Sequence, residues 1–272
     1  MRLVTYSDGT GPRVGVLTGD GVAATGATGM LQVIRSGELP HITSAPQPVA
    51  DLRLLAPLPR PGKLLFCGVN YASHKRENPS ATLPAEPFFF AKLPSAVIGP
   101  GEPIRIPSPH SQVDYEVELA VVIGKGGRGL RRGEAAEHVF GYTVVNDVSG
   151  RDVQFKDNQI TLGKGFDTFA PMGPCIVTAG EISDPQALRV ASYVNGEQRQ
   201  GEATANMLFP VAVVLEFVSR YITLDPGDIV STGTPAGVGL FRSPPSLLAP
   251  GDVVEVEVDA IGRLRNPVVA GW

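Results

Sequence analysis

The chain has 272 residues, 43% of them apolar and 18% charged, with a formal net charge of −4 and a pI of about 5.6. That length supports a full core and that composition excludes a disordered chain. The acid excess excludes the basic stripe of a nucleic-acid-binding surface. No apolar run approaches the roughly 20 residues of a membrane-spanning helix. The N-terminal stretch MRLVTYSDGTGPRVG lacks the apolar core of a secretion signal, so a soluble, cytoplasmic protein is expected. Cys67 and Cys175 lie far apart in apolar surroundings and read as buried free thiols.

Glycine and proline, 32 and 25 residues, exceed the roughly 12% of average chains. With no repeat period, they punctuate many short strands. Residues 1–20 read as a hairpin and 28–36 as a short helix. A proline-rich linker from Pro40 to Pro61 follows, and a boundary near residue 58 divides a small N-terminal domain (1–58) from the main domain (59–272). The main domain opens with a strand over 63–68 and a short, polar, mobile helix over 71–78. Strands follow over 87–91, 114–124, 139–147 and 172–178. Segments 188–194 and 197–200 pair through Asn195-Gly196, a type I′ turn signal. A long amphipathic helix is predicted over 207–221, and the chain ends in a hairpin of 253–258 with 263–268. These elements describe a β-rich α+β fold with few helices, without the βαβ alternation of a doubly wound sheet.

Asp114-Tyr-Glu116-Val-Glu118 opens the most apolar strand. Alternate residues share a face, so Glu116 and Glu118 project together and Asp114 joins them. Adjacent carboxylates repel unless a cation lies between them. That face continues as Ala120 and Val122, which suits a pocket better than a solvated surface. Asp147, at the polar end of Val144-Val-Asn146, supplies a third acid. Two Glu and one Asp, all hard oxygen donors, suit Mg²⁺ or Mn²⁺ rather than Zn²⁺. Glu255, Glu257 and Asp259 repeat the spacing near the C-terminus, where a solvated face is the better reading.

Gly124-Lys-Gly126-Gly-Arg-Gly129 matches a dinucleotide-binding fingerprint directly after a strand. The following segment is too short, too polar and too interrupted by Gly133 to be the required helix, so the match carries no cofactor.

Seven segments in order resemble the fumarylacetoacetate hydrolase family: GVNYASHKRE (68–77), PFFFAKLPSAVIGPG (87–101), DYEVELAVVIGK (114–125), GYTVVNDVSGRDVQ (141–154), GKGFDTFAPMGP (163–174), NGEQRQ (195–200) and STGTPAGVG (231–239). The resemblance covers roughly 60–270 and implies packed mixed β-sheets and a homodimer. It also implies a metal on Glu116, Glu118 and Asp147, the set the acidic strand already suggests. By the same resemblance, His74 and Glu77 are a catalytic pair on a segment that orders over the substrate, and Lys164 is the lysine before the FDT motif. Arg151, Gln154 and Thr234 contact substrate, with Tyr71 and Lys92 as weaker pocket candidates.

These residues suit that chemistry. His74 and Glu77 lie at i and i+3, adjacent on a helical turn, where a carboxylate orients an imidazole. The glycines flanking Lys164 admit close approach of a ligand. Arg151 offers a planar fork to a carboxylate. The function expected first is metal-dependent hydrolysis of a C–C bond in a 2,4-diketo acid of the acylpyruvate or fumarylpyruvate type. An enolate stabilised by the metal forms, and His74 activates water. The alternative is oxaloacetate decarboxylation, or isomerisation or decarboxylation of a hydroxymuconate-type acid, at the same site. A remote alternative is a non-catalytic ligand-binding dimer. The partner expected is a small 2-keto acid, without nucleic acid or membrane.

Overall fold

The computed structural model describes residues 1–77, 82–156 and 160–271. Its largest sheet runs across the strands Ile42–Gln47, Gly21–Thr25, Pro12–Thr18, Arg2–Ser7, Ala170–Thr178, Val139–Asn146, Val117–Ile123, Ile229–Ser231, Leu64–Cys67 and Phe89–Lys92. A five-stranded sheet holds Glu197–Ala203, Arg189–Val194, Val253–Val258, Gly262–Ala270 and Ile104–Ile106. The fold is β-rich with mixed sheets, as expected. Among the described residues no helix is long and apolar enough to cross a membrane.

The strand Val117–Ile123 is central and buried along its whole length. Val117, Leu119, Val121 and Ile123 pack on one side against Val190, Val256 and Leu264 of the second sheet and Val214, Leu215 and Val218 of a helix. Ala120 and Val122 face the other way, onto Leu3, Ile34, Leu64 and Phe66. Alternation therefore sends successive side chains into two different cores, and the run reads as continuously apolar for that reason.

Residues 1–58, expected as a separate piece, extend the large sheet. Arg2–Ser7 pairs antiparallel with Ala170–Thr178, and Leu3, Val14 and Val16 share a core with Phe66 and Met172. The helix predicted over 207–221 is Val211–Tyr221, with Pro210 at its N-cap. Proline disfavours helical geometry in the residue before it, so the apolar stripe upstream stays outside the helix. The predicted helix over 71–78 forms only His74–Glu77 among the described residues. Position 78, the last of that segment, lies outside them, as do 79–81. Asn195 and Gly196 both take positive φ, 53° and 82°, as the predicted hairpin turn requires.

Candidate active site

The acidic strand breaks between Asp114 and Val117, and the break sorts its acids. Asp114 ends a short pairing with Ser149–Gly150, while Glu116 sits in the gap, its amide bonded to Asn146 Oδ1. Beyond it, Val117 pairs with Asn146, and the Asp147 amide donates to the Glu116 carbonyl at 2.8 Å. This register brings Glu116, Glu118 and Asp147 together, with one carboxylate oxygen of each within 4.8 Å of the others, all three buried. Asp114 does not join them, contrary to the alternation argument. It accepts from Arg151 Nε and Nη2 and from the amides of Gly239 and Leu240.

Three cations surround the cluster. Lys164 Nζ bridges Glu116 Oε2 at 2.7 Å and Asp147 Oδ2 at 2.6 Å. Lys92 Nζ holds Asp147 Oδ1 at 2.5 Å and the Val148 carbonyl at 2.9 Å. Arg151 Nη2 reaches Glu116 Oε1 at 2.6 Å. Burial works against ionisation of Glu116, but Lys164 and Arg151 outweigh it and pull the carboxyl well below its ordinary range. Glu118 goes the other way. Burial, then the charges of Asp147 and Glu116, push it well above that range, and the Ser231 hydroxyl offsets this only partly. Burial lowers the Lys92 ammonium to about 8, although Asp147 opposes the change.

His74 and Glu77 are poised from a third direction. His74 Nδ1 lies 3.0 Å from Glu77 Oε2, and Nε2 lies 2.7 Å from the Thr234 carbonyl. The Glu77 carboxylate accepts from the Gly237 amide, and the Ala236 amide donates to Ser73 Oγ. A carbonyl only accepts, so Nε2 carries a proton; a carboxylate on Nδ1 then favours the doubly protonated ring. Burial opposes that charge, but the Glu77 bond, the fields of Glu116 and Glu77 and the Thr234 carbonyl outweigh it, and the pKa is raised.

A cavity of about 240 Å³ opens between these groups. Its floor carries Glu116, Glu118, Arg151, Gln154 and Lys164, with His74 and Thr234 to one side. Toward solvent it is walled by Val69, Phe88, Phe155, Ile160 and Phe241. Most expected site residues therefore meet here, with four departures from expectation. Tyr71 is fully buried in the core and does not line the cavity, because its backbone bridges Met207 and draws the ring inward. Arg151 reaches the cavity, but its fork is spent on Asp114 and Glu116 and its Nη1 on Gln154 rather than held free for a substrate. Lys92, a weak candidate from sequence, contacts Asp147 directly. Ser231, missed altogether, donates to Glu118 at 2.5 Å from just before the Gly-rich loop. For Lys92 the available signal was a lysine inside the apolar run Pro-Phe-Phe-Phe-Ala-Lys92, since a buried lysine needs an acid.

The donor set fits a divalent cation. All donors are hard carboxylate oxygens, and among the described residues Glu118 is hydrogen-bonded by the neutral donors Ser231 and Gly233 alone, so burial and its acidic neighbours disfavour its charge unless a cation lies beside it.

Known proteins bear on this geometry. The family model described as the C-terminal region of fumarylacetoacetate hydrolase matches residues 63–269. The mitochondrial oxaloacetate tautomerase fahd2 of Xenopus laevis is 41% identical across 99% of this chain and 90% of its own. A solved 5-carboxymethyl-2-hydroxymuconate delta-isomerase from Mycobacterium smegmatis superposes with a TM-score of 0.85 at 38% identity, covering 99% of this chain and all of that one. A maleylpyruvate hydrolase from Sphingobium, solved with manganese(II) and pyruvate, gives 0.82 at 31% identity over the whole of both chains.

Proposed function

The chain belongs to the fumarylacetoacetate hydrolase family, and from its site we propose an enzyme, dependent on Mg²⁺ or Mn²⁺, that interconverts the enol and keto forms of a small 2-keto diacid such as oxaloacetate. The similarity to an oxaloacetate tautomerase supports the substrate class, and the manganese–pyruvate complex of the hydrolase relative supports the metal and the 2-keto acid. Glu116, Glu118 and Asp147 would hold the ion, which supplies electrophilic polarisation of the keto oxygen when bound.

The observation that carries the reaction type is the state of His74. Both ring nitrogens face acceptors, Glu77 Oε2 and the Thr234 carbonyl, a setting that favours the protonated ring and raises its pKa. A charged imidazole can deliver a proton to C3 of an enolate; it is the wrong form for taking one from water. Tautomerisation needs that delivery: the enol oxygen loses a proton, C3 gains one, and no water is consumed. Glu77 orients the ring, and Lys164 sets positive charge beside the enolate oxygen.

Hydrolysis of a 2,4-diketo acid is the second reading, favoured by the His74–Glu77 pair itself and by the hydrolase relative. Decarboxylation of oxaloacetate shares the enolate and belongs with it. A homodimer is part of the same proposal and is checked by sedimentation. The test is direct. Enol-oxaloacetate is mixed with protein and Mn²⁺, and the decay of enol absorbance is compared with buffer, with chelator, and with acetylpyruvate as substrate. No acceleration with oxaloacetate, beside clear cleavage of acetylpyruvate, would transfer the assignment to the hydrolase.

A further inference from the structure

Gln200 lies outside the cavity wall, yet its amide uses all four of its hydrogen-bonding positions at the seam between the metal strand and the Thr234 loop. It is 1% exposed. Its Oε1 accepts from the Val117 amide at 3.1 Å and from Ser192 Oγ at 2.9 Å. Its Nε2 donates to Thr234 Oγ1 and to the Pro235 carbonyl, both at 2.7 Å.

The orientation of this amide is forced. Val117 N–H can only donate and the Pro235 carbonyl can only accept, so oxygen and nitrogen cannot exchange places. Thr234 Oγ1 therefore receives a hydrogen bond from Gln200, and its own proton is left for the cavity that it lines. Val117 lies between Glu116 and Glu118, and the Thr234 carbonyl is the acceptor for His74. One buried side chain thus ties the metal strand to the loop that faces both substrate and His74. The seat is close-fitting: Gly237 has φ 113°, and a Cβ there would lie 2.2 Å from the Arg199 carbonyl oxygen.

We infer that Gln200 is a positioning residue, which turns Thr234 into an obligate hydrogen-bond donor toward a carboxylate or enolate oxygen of the bound 2-keto acid. This rests on the proposed function for the identity of the anion.

The experiment uses the full chain loaded with Mn²⁺ and oxalate as a stable chelating dianion. Gln200→Glu keeps an acceptor for Val117 but places a carboxylate oxygen against Thr234, so the hydroxyl must turn inward and donate to it. Calorimetry should show Mn²⁺ affinity within about threefold of wild type and oxalate affinity lower by about tenfold, the scale of one lost hydrogen bond to a charged group. Thr234→Val should lose a similar factor, Thr234→Ser should retain wild-type affinity, and Gln200→Glu combined with Thr234→Val should lose no more than either alone. Losses that multiply in the double variant would overturn the role, as would unchanged oxalate binding in Gln200→Glu or a parallel loss of Mn²⁺. Should Gln200→Glu fail to fold, Thr234→Val decides alone, and its binding oxalate like wild type overturns the proposal. Wild type that binds Mn²⁺ but not oxalate would overturn both this role and the proposed function.

Discussion

Two strands of this molecule carry carboxylates on alternate residues, and they have opposite fates. Glu255 and Glu257 stand on Val253–Val258 beside the antiparallel strand Gly262–Ala270, where Arg263 lies directly across from Glu257 and bonds it at 2.7 Å. These groups remain partly solvated, at 19% and 31% exposure. Glu116 and Glu118 are equally spaced, but their neighbours are the strand carrying Asn146 and the loop after Ser231, and they are buried. Spacing places carboxylates on one face. What the adjacent backbone brings to that face decides whether they become a surface ion pair or a cation site.

The comparison breaks most sharply at Glu116. Glu116→Ala should abolish Mn²⁺ binding by calorimetry and abolish turnover. It also strips a partner from buried Lys164 and Arg151, so unfolding should ease by about 3–5 kcal/mol in denaturant titration. Normal Mn²⁺ affinity in this variant would remove the assignment. Next in size, His74→Ala should lower tautomerisation by about 10²-fold, the usual scale for a lost proton donor, with Mn²⁺ affinity retained. Lys92→Met keeps length but frees Asp147 Oδ1. Loss of such an outer partner should weaken Mn²⁺ binding by about 10–100-fold.

A pH series probes the docked His74. Its folded-state pKa is raised, so its stabilisation of the 71–77 segment is complete below the ordinary value of 6.5 and is lost as pH rises through the folded value. Hydrogen exchange in that segment, corrected for intrinsic rates, should quicken across that window. Flat protection would show that Ser73 and Asn70 hold the segment without His74. The smallest effect belongs to the control strand. Glu255→Ala should leave Mn²⁺ binding and turnover unchanged and shift stability by at most about 0.5 kcal/mol.

Much of this was legible in the sequence. Alternation placed Glu116 and Glu118 together, and the ordered motifs supplied His74, Glu77, Lys164 and Thr234. Partnerships across long separations were not legible. Asp114 looks like a third member of the acidic face, but a two-residue break rotates it onto Arg151, 37 residues away. Arg151 reads as a free fork for the same reason. Tyr71 sits between residues that face the site, yet a single bridge to Met207 turns it into the core. The N-terminal strands, separated by a proline-rich stretch, gave no sign that they would lengthen the main sheet, because strand adjacency leaves no local mark in composition.

The two ends of the cavity rest on different foundations. The carboxylates stand on strands packed on both faces, where a change of one methylene is felt through two cores. Of the five outer-wall residues, Val69, Phe88, Phe155 and Phe241 are at least 40% exposed and lie on loops or short turns. Substitutions there cost the fold little. Mutation can therefore explore the outer wall freely while the chelating floor stays fixed by the stability of the sheet. A scaffold divided in this way is evolvable, able to exchange one small ligand for another by drift at its mouth.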